Sequence, residues 1–202
     1  MKKDDIINCF NLNKSQIYNI DLFLSKITTF NKHTNLVGRS TLEDPWDRHV
    51  LDCIQLSKYI PNKETKILDM GSGAGLPGVL LSILGYKNVL MIESTKKKGE
   101  FIKNIIKELS LSAKIQIQRI EKTNIPKQEL IVSRALAPLN KLLTYTLLHS
   151  NKNTTSLFLK GRNVNKELEM AKKTFHFDFK IFTSLSLGEG QILQVKNINM
   201  KK

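Results

Sequence analysis

Apolar residues recur every three to four positions over 15–30, where Ile17, Ile20, Phe23, Leu24, Ile27 and Phe30 fall on one face of a predicted amphipathic helix. A shorter helix is expected around Asp4–Phe10, whereas NKHTNLVGRS (31–40) has no period and reads as a loop. Asp44 before Pro45 marks a further helix start. The carboxylate caps the first turn, and proline follows where no backbone N–H is needed. Trp46, Val50, Ile54 and Ser57 lie along one face of this helix, which should end before Pro61. Residues 1–60 therefore read as a helical cap.

The pattern changes at residue 66. KILDM (66–70) is a short apolar strand, VLLSIL (79–84) a helix and NVLMIE (88–93) a second buried strand. A helix over 95–111 carries Phe101, Ile102, Ile105, Ile106 and Leu109 on its inner face and lysines on its outer one. Strands follow at 114–120, 129–134 and 156–161, with helices at 139–149 and 165–174, and two closing strands at 177–187 and 190–198. Strands that alternate with helices predict an α/β fold, a mostly parallel doubly wound sheet over 61–202 with the last hairpin antiparallel. In such a sheet a ligand binds beyond the carboxyl ends of the strands, where the strand order switches.

Composition narrows the setting. The 202 residues are 41% hydrophobic and 25% charged, a globular balance rather than a disordered one. The longest apolar candidate, GVLLSILG, has under half the ~20 residues of a membrane helix, and MKKDDIINCF puts two acids where an export signal would be apolar. Cys9 and Cys53 cannot frame a disulfide scaffold, and no Cys/His cluster has metal-ligand spacing. The expectation is a cytoplasmic, metal-free protein without a membrane segment, and nothing demands more than a monomer. Charge adds a partner: the net +14 is concentrated after residue 60, since residues 1–60 hold eight basic and seven acidic side chains. Such a surface suits a polyanion such as a nucleic acid, with Lys96, Lys97 and Lys98 as candidate contacts.

Candidate chemistry centres on ILDMGSGAGLPG (67–78). Gly71, Gly73 and Gly75 stand between a strand and a helix, where the absence of Cβ permits a tight turn and close approach of a ligand. The spacing Gly73-x-Gly75-x-x-Gly78 also fits a dinucleotide fingerprint, so the pattern leaves a dinucleotide and S-adenosylmethionine both open. Three features favour the second. Asp69 at the strand end suits a cationic sulfonium cofactor and would repel a pyrophosphate. Pro77 removes an N–H donor from the helix start that would face a pyrophosphate. Only about 110 residues follow Glu93, little for a separate catalytic domain. Glu93, ending the second strand, can accept from a ribose diol. At the end of the third strand Ile120 can pack on an adenine ring, and Glu121 can accept from its exocyclic amine.

Five separated segments resemble the RsmG (GidB) family of bacterial ribosomal RNA methyltransferases. They are FNKHTNLV, STLEDPWDRHVLDCIQL, ILDMGSGAGLPG with its Leu-Pro-Gly after the third glycine, IVSRALAPL and LFLKG. The resemblance implies a class I (Rossmann-like) methyltransferase with an N-terminal helical cap, acting on N7 of a guanine in the 530 loop of 16S ribosomal RNA or of the small subunit. It places Gly71, Leu76, Ile120, Glu121 and Arg134 on S-adenosylmethionine, Glu93 on its ribose, and His49, Asp52 and Lys160 around the same pocket. Cys53 stands where the family usually has serine, and Phe30 where it has tryptophan.

The residues agree with that chemistry by what they lack. Guanine N7 has an in-plane lone pair and no proton, so transfer needs positioning and no general base. Ser133-Arg134-Ala135 follows the fourth strand in place of the Asn/Asp-Pro-Pro-aromatic motif of exocyclic amine methylation. Arg134 suits the cofactor carboxylate or a phosphate. Lys160 suits a phosphate or guanine O6, and with His49 it is a positioning candidate. Two other classes stay open on sequence alone: an NAD-dependent oxidoreductase, and a ribosome-assembly protein that binds RNA without catalysis.

Overall fold

The computed structural model describes residues 1–186 and 188–201. The chain opens with two helices, α1 (Lys3–Cys9) and α2 (Lys14–Asn31). Asn13 starts α2 by accepting the Gln16 N–H at 2.9 Å while the Gln16 side chain returns the bond to the Asn13 N–H, a reciprocal capping box. The loop that follows is held by Asn31, whose buried side chain takes the N–H groups of Leu36 (2.7 Å) and Val37 (3.0 Å).

The helix expected between Asp44 and Pro61 is not a uniform α-helix. Its backbone winds as π turns over Trp46–Leu51, as one α turn over Asp52–Ile54 (α3), and as 3-10 turns over Gln55–Tyr59. Trp46, Asp47, His49, Val50, Leu51, Cys53, Ile54, Gln55 and Leu56 are all buried. A rod enclosed on almost every side takes its winding from its neighbours, and a local period cannot report that.

The sheet contains β1 (Ile67–Met70), β2 (Val89–Glu93), β3 (Lys114–Ile117), β4 (Leu130–Arg134), β5 (Thr155–Lys160), β6 (Phe175–Thr183) and β7 (Gln191–Met200). Their order is β3-β2-β1-β4-β5-β7-β6, parallel through β5 with β7 antiparallel to β5 and β6 antiparallel to β7. The α/β reading with an antiparallel closing hairpin holds. The intervening helices are α4 (Gly78–Ile83), α5 (Lys96–Glu108), α6 (Leu139–His149) and α7 (Val164–Ala171). Two boundaries move. The third strand stops at Ile117, and Ile120–Lys122 forms a 3-10 turn. The strand expected over 177–187 occupies Phe175–Thr183, and its last expected position, 187, lies outside the described residues.

Alternation along the strands divides the interior in two. Ile67, Met91, Val132 and Leu157 face a core shared with α4, α5 and the buried side chains of the first sixty residues. Leu68, Met70, Ile131 and Phe158 face a second core with α6 and α7. Period-two side-chain placement explains how short, wholly apolar strands are buried on both faces.

Candidate functional site

The strand order reverses between β1 and β4, and their carboxyl ends open on a cavity of about 430 Å³. Gly71 and Gly73 from the β1–α4 turn, Glu93 from β2 and Arg134 from β4 line it, with Leu76, Lys98 and His49. Leu36, Val37, Gly38 and Thr41 complete the wall, a contribution the sequence reading missed. The signal available was Asn31: one buried amide side chain fixing two backbone N–H groups ahead of it.

The glycines differ in purpose. A Cβ on Gly71 would lie 2.4 Å from Leu136 Cδ1, so that glycine serves the approach of the β4–α6 segment. A Cβ on Gly75 would lie 2.6 Å from Val79, within the protein. At Gly73 (φ +57°) the nearest atom would be a carbonyl oxygen 4.0 Å away, so this position faces open cavity. Its N–H donates to Glu93 Oε2 at 2.9 Å, and Glu93 Oε1 accepts from Thr95 N–H at 2.7 Å. A carboxylate has about four acceptor sites, so two remain for a diol.

Arg134 is held by three residues of the 46–54 segment. Its Nε pairs with Asp52 Oδ2 at 2.9 Å, Nη1 meets His49 Nδ1 at 3.1 Å, and Nη2 donates to the Arg48 carbonyl at 3.0 Å. A guanidinium can only donate, so His49 Nδ1 is the acceptor and the ring proton is on Nε2, which donates to Thr41 Oγ1 at 2.8 Å. Burial, reinforced by Arg134 and Arg48, pushes the His49 pKa down to about 3. Burial raises the Asp52 carboxyl, and the Arg134 charge opposes that rise. Three guanidinium N–H donors are thus committed, and the Cys53 thiol lies within hydrogen-bond reach of the same group. Arg134 is only half-buried.

A second cavity of about 760 Å³ lies across the Arg134–Pro138 segment and is lined by Arg48, Asp52, Lys160, Arg162 and Glu167 among others. Arg134, Ala135 and Leu136 line both cavities. Ala135 has φ +54°, a left-handed conformation that costs a non-glycine residue about 1–2 kcal/mol and that gathers at working sites. Lys160 ends β5 on this second cavity. Its Nζ lies 2.6 Å from Glu167 Oε2 and donates to the Ala137 carbonyl at 3.2 Å.

Other expected site residues lie elsewhere. Asp69 is fully buried, takes the Gly78 N–H at 3.0 Å and lines neither cavity. Burial pushes its pKa up to about 7, and the Gly78 bond partly offsets this. It tethers the start of α4 to β1. Ile120 packs in the α6–α7 core, and Glu121 accepts from Tyr145 Oη at 2.7 Å. Both sit on the 3-10 turn outside the cavity lining, because the third strand ends before them. Lys96 and Lys97 are exposed at the start of α5, and Lys98 reaches the cavity rim.

Cys53 is distant from β4 in sequence yet close enough to Arg134 to feel its charge. Burial raises this thiol well above its ordinary value, so it supplies no thiolate. Among the described residues no group of three or more His, Cys, Asp or Glu could hold a metal ion, and no helix is long and apolar enough to cross a membrane.

Comparison with solved structures supports the fold alone. Ribosomal protein L11 methylase from Lactobacillus delbrueckii subsp. bulgaricus matches with a TM-score of 0.58 and 20% identity, over 75% of this chain and 77% of that one. M. jannaschii TYW2, solved with AdoMet, matches with a TM-score of 0.55 and 14% identity over 74% and 77%. The fold is thus a Rossmann-like methyltransferase sheet.

Sequence relatives go further. Ribosomal RNA small subunit methyltransferase G of Rickettsia prowazekii is 38% identical over 182 residues, covering 90% of this chain and 94% of its own length. That of Rickettsia felis is 38% identical over 186 residues with the same coverage. The family model described as rRNA small subunit methyltransferase G matches residues 16–194. This match removes the oxidoreductase that the glycine spacing had left open. The chain belongs to the GidB family, the rRNA small subunit methyltransferases G.

Proposed function

We propose that the protein transfers a methyl group from S-adenosylmethionine to N7 of a guanine in the 530 loop of 16S ribosomal RNA, acting as a cytoplasmic monomer on the RNA or the small subunit. The observation that carries this reading is a pair of cavities sharing one wall, Arg134–Leu136, at the switch point of the sheet. One suits a cofactor and the other an acceptor base.

The residues present fit the cofactor. Gly73 leaves a cradle that a side chain would fill, Glu93 has acceptor capacity for a ribose diol, and the Arg134 guanidinium on the cavity wall suits a carboxylate. When bound, S-adenosylmethionine supplies the methyl carbon that the N7 lone pair takes in line, the carbon–sulfur electron pair leaving with sulfur. The protein's task is then to position. His49 has both ring nitrogens committed, and in the neutral form it braces Arg134 rather than accepting a substrate proton. N7 has no proton to give up, and the absence of a free base around Arg134 among the described residues agrees with that. Lys98 on one cavity and Lys160 on the other, with Lys96 and Lys97 exposed at the start of α5, are the cationic contacts for RNA.

Methyl transfer from labelled S-adenosylmethionine to ribosomal RNA and small subunits lacking the modification, followed by nucleoside mass analysis, tests the proposal. The expected product is 7-methylguanosine in small-subunit RNA. No transfer to either substrate with cofactor binding intact would overturn the assigned acceptor. RNA binding without transfer would select the assembly-protein reading.

A further inference from the structure

The larger cavity contains an arrangement that the methyl-transfer chemistry does not use. Lys160 and Glu167 form an ion pair of 2.6 Å on its wall, with only 8% of the lysine side chain exposed and 25% of the glutamate. Their bonds are distributed unevenly. Glu167 Oε2 takes both the Lys160 ammonium and the Leu139 N–H (2.7 Å), so among the described residues Oε1 keeps its two lone pairs for the cavity. Of the three Lys160 N–H donors, one goes to Glu167 and one to the Ala137 carbonyl, leaving the third. The wall therefore offers one cationic donor beside one anionic acceptor.

We infer that Lys160 and Glu167 together read the acceptor base as guanine, Lys160 donating to O6 and Glu167 Oε1 accepting from the N1–H and N2–H edge. The inference rests on the function proposed above and assigns it a specificity determinant, Glu167. A grip on that edge leaves N7, on the other ring, free to react. Adenine would set an amine donor against the ammonium and a bare N1 lone pair against the carboxylate, so both contacts fail. A site built from buried polar groups rejects such a ligand strongly, because its own groups are left unpaired. The carboxylate contact also strengthens during reaction. As N7 becomes alkylated, positive charge spreads over the purine and N1–H becomes a better donor, so Glu167 binds the transition state more tightly than the ground state.

Small subunits reconstituted with unmodified RNA carrying guanosine or inosine at the acceptor position test this, because inosine keeps O6 and N1–H and lacks only the N2 amine. The wild-type protein should prefer guanosine by about 10- to 100-fold in kcat/KM, the range of one hydrogen bond to a charged group. Glu167→Gln should lower kcat/KM on guanosine by a similar factor and bring the guanosine-to-inosine ratio to within about threefold of one, with S-adenosylmethionine affinity unchanged by calorimetry. Removing one partner of a buried pair can unfold a protein, whereas replacing both is often neutral. The double variant Lys160→Met with Glu167→Leu therefore serves as the second test and should also lose the preference while still binding cofactor. A wild-type protein indifferent to the N2 amine overturns the inference, as does either variant keeping the wild-type ratio. A wild-type protein that forms no 7-methylguanosine on the guanosine substrate overturns the underlying function instead.

Discussion

His49 shows how far a side chain's role depends on its partners. The sequence marks it as a histidine on a helix. Its neighbours make it a neutral brace, with Nδ1 accepting from Arg134 and Nε2–H donating to Thr41. This has a consequence for stability. As pH falls, an unfolded histidine takes up a proton near pH 6.5, whereas folded His49 resists protonation until about pH 3. Between those values the unfolded state binds more protons, so His49 contributes stability above pH 6.5 that is lost as pH falls toward 3. Asp69, raised to about 7, acts in the opposite sense, since its protonated native form favours folding below that value. A comparison with His49→Gln separates the two. The stability of wild type relative to the variant should decline below pH 6.5 by up to about 1.4 kcal/mol per pH unit, followed by urea unfolding at pH 7.5, 6 and 5. A difference independent of pH would mean that His49 titrates normally in the folded protein. The spacing of Arg48, His49 and Asp52 was legible in the sequence. Their convergence on Arg134, 82 or more residues later, was not.

Among the elements, the β1–α4 turn was the most legible and the composite rod over Trp46–Tyr59 the least. The turn's glycines report backbone conformation directly, because the three left-handed φ angles at Gly71, Gly73 and Gly75 suit few other residues. What each glycine makes room for was hidden. Only Gly73 faces open cavity, so only there should a side chain act first on a ligand. Gly73→Val should lower S-adenosylmethionine affinity at least tenfold by calorimetry while unfolding stays cooperative. Backbone strain needs a control, since left-handed φ costs a non-glycine residue about 1–2 kcal/mol. Gly85 (φ +92°) supplies one, with nothing within 4 Å of its added Cβ and no part in either cavity. Gly85→Ala should be destabilising and leave cofactor affinity unchanged. Equal effects of both variants on affinity would remove the turn from the cofactor site.

On the scale of the whole molecule, two properties act together: a core that runs across residue 60 and a surface of high positive charge. Phe23, Ile27 and Leu51 belong to the same buried cluster as Val79, Phe101 and Val132, so the first sixty residues hold one side of the site rigid against the sheet. Of the net charge of +14, +13 lies on the remainder of the chain, which holds 24 of the 32 basic side chains against 11 acidic ones. RNA affinity should therefore fall steeply with salt, log K against log[salt] declining by about 0.7–0.9 per neutralised phosphate. Titration of small-subunit RNA between 50 and 200 mM salt, read by fluorescence anisotropy, measures that slope. A flat response would mean that the charge after residue 60 is not used for RNA.

The sequence by itself determined the order of the strands and of the helices between them, and the family. These follow from short-range regularities: apolar period, capping residues, and glycines that backbone geometry requires. Several of the residues it singled out line one cavity, among them Gly71, Gly73, Glu93 and Arg134. Tertiary structure decided which charged groups meet. Asp69 turned inward to the Gly78 N–H, and Glu121 turned to Tyr145, because a carboxylate takes whichever donor the packing brings within reach. The Arg134 brace, the cavity wall after Asn31 and the Lys160–Glu167 pair were likewise settled by contacts between distant elements. Local sequence sets where strands and most helices form, whereas the winding of an enclosed rod and a polar side chain's partner are fixed only when the chain closes around them.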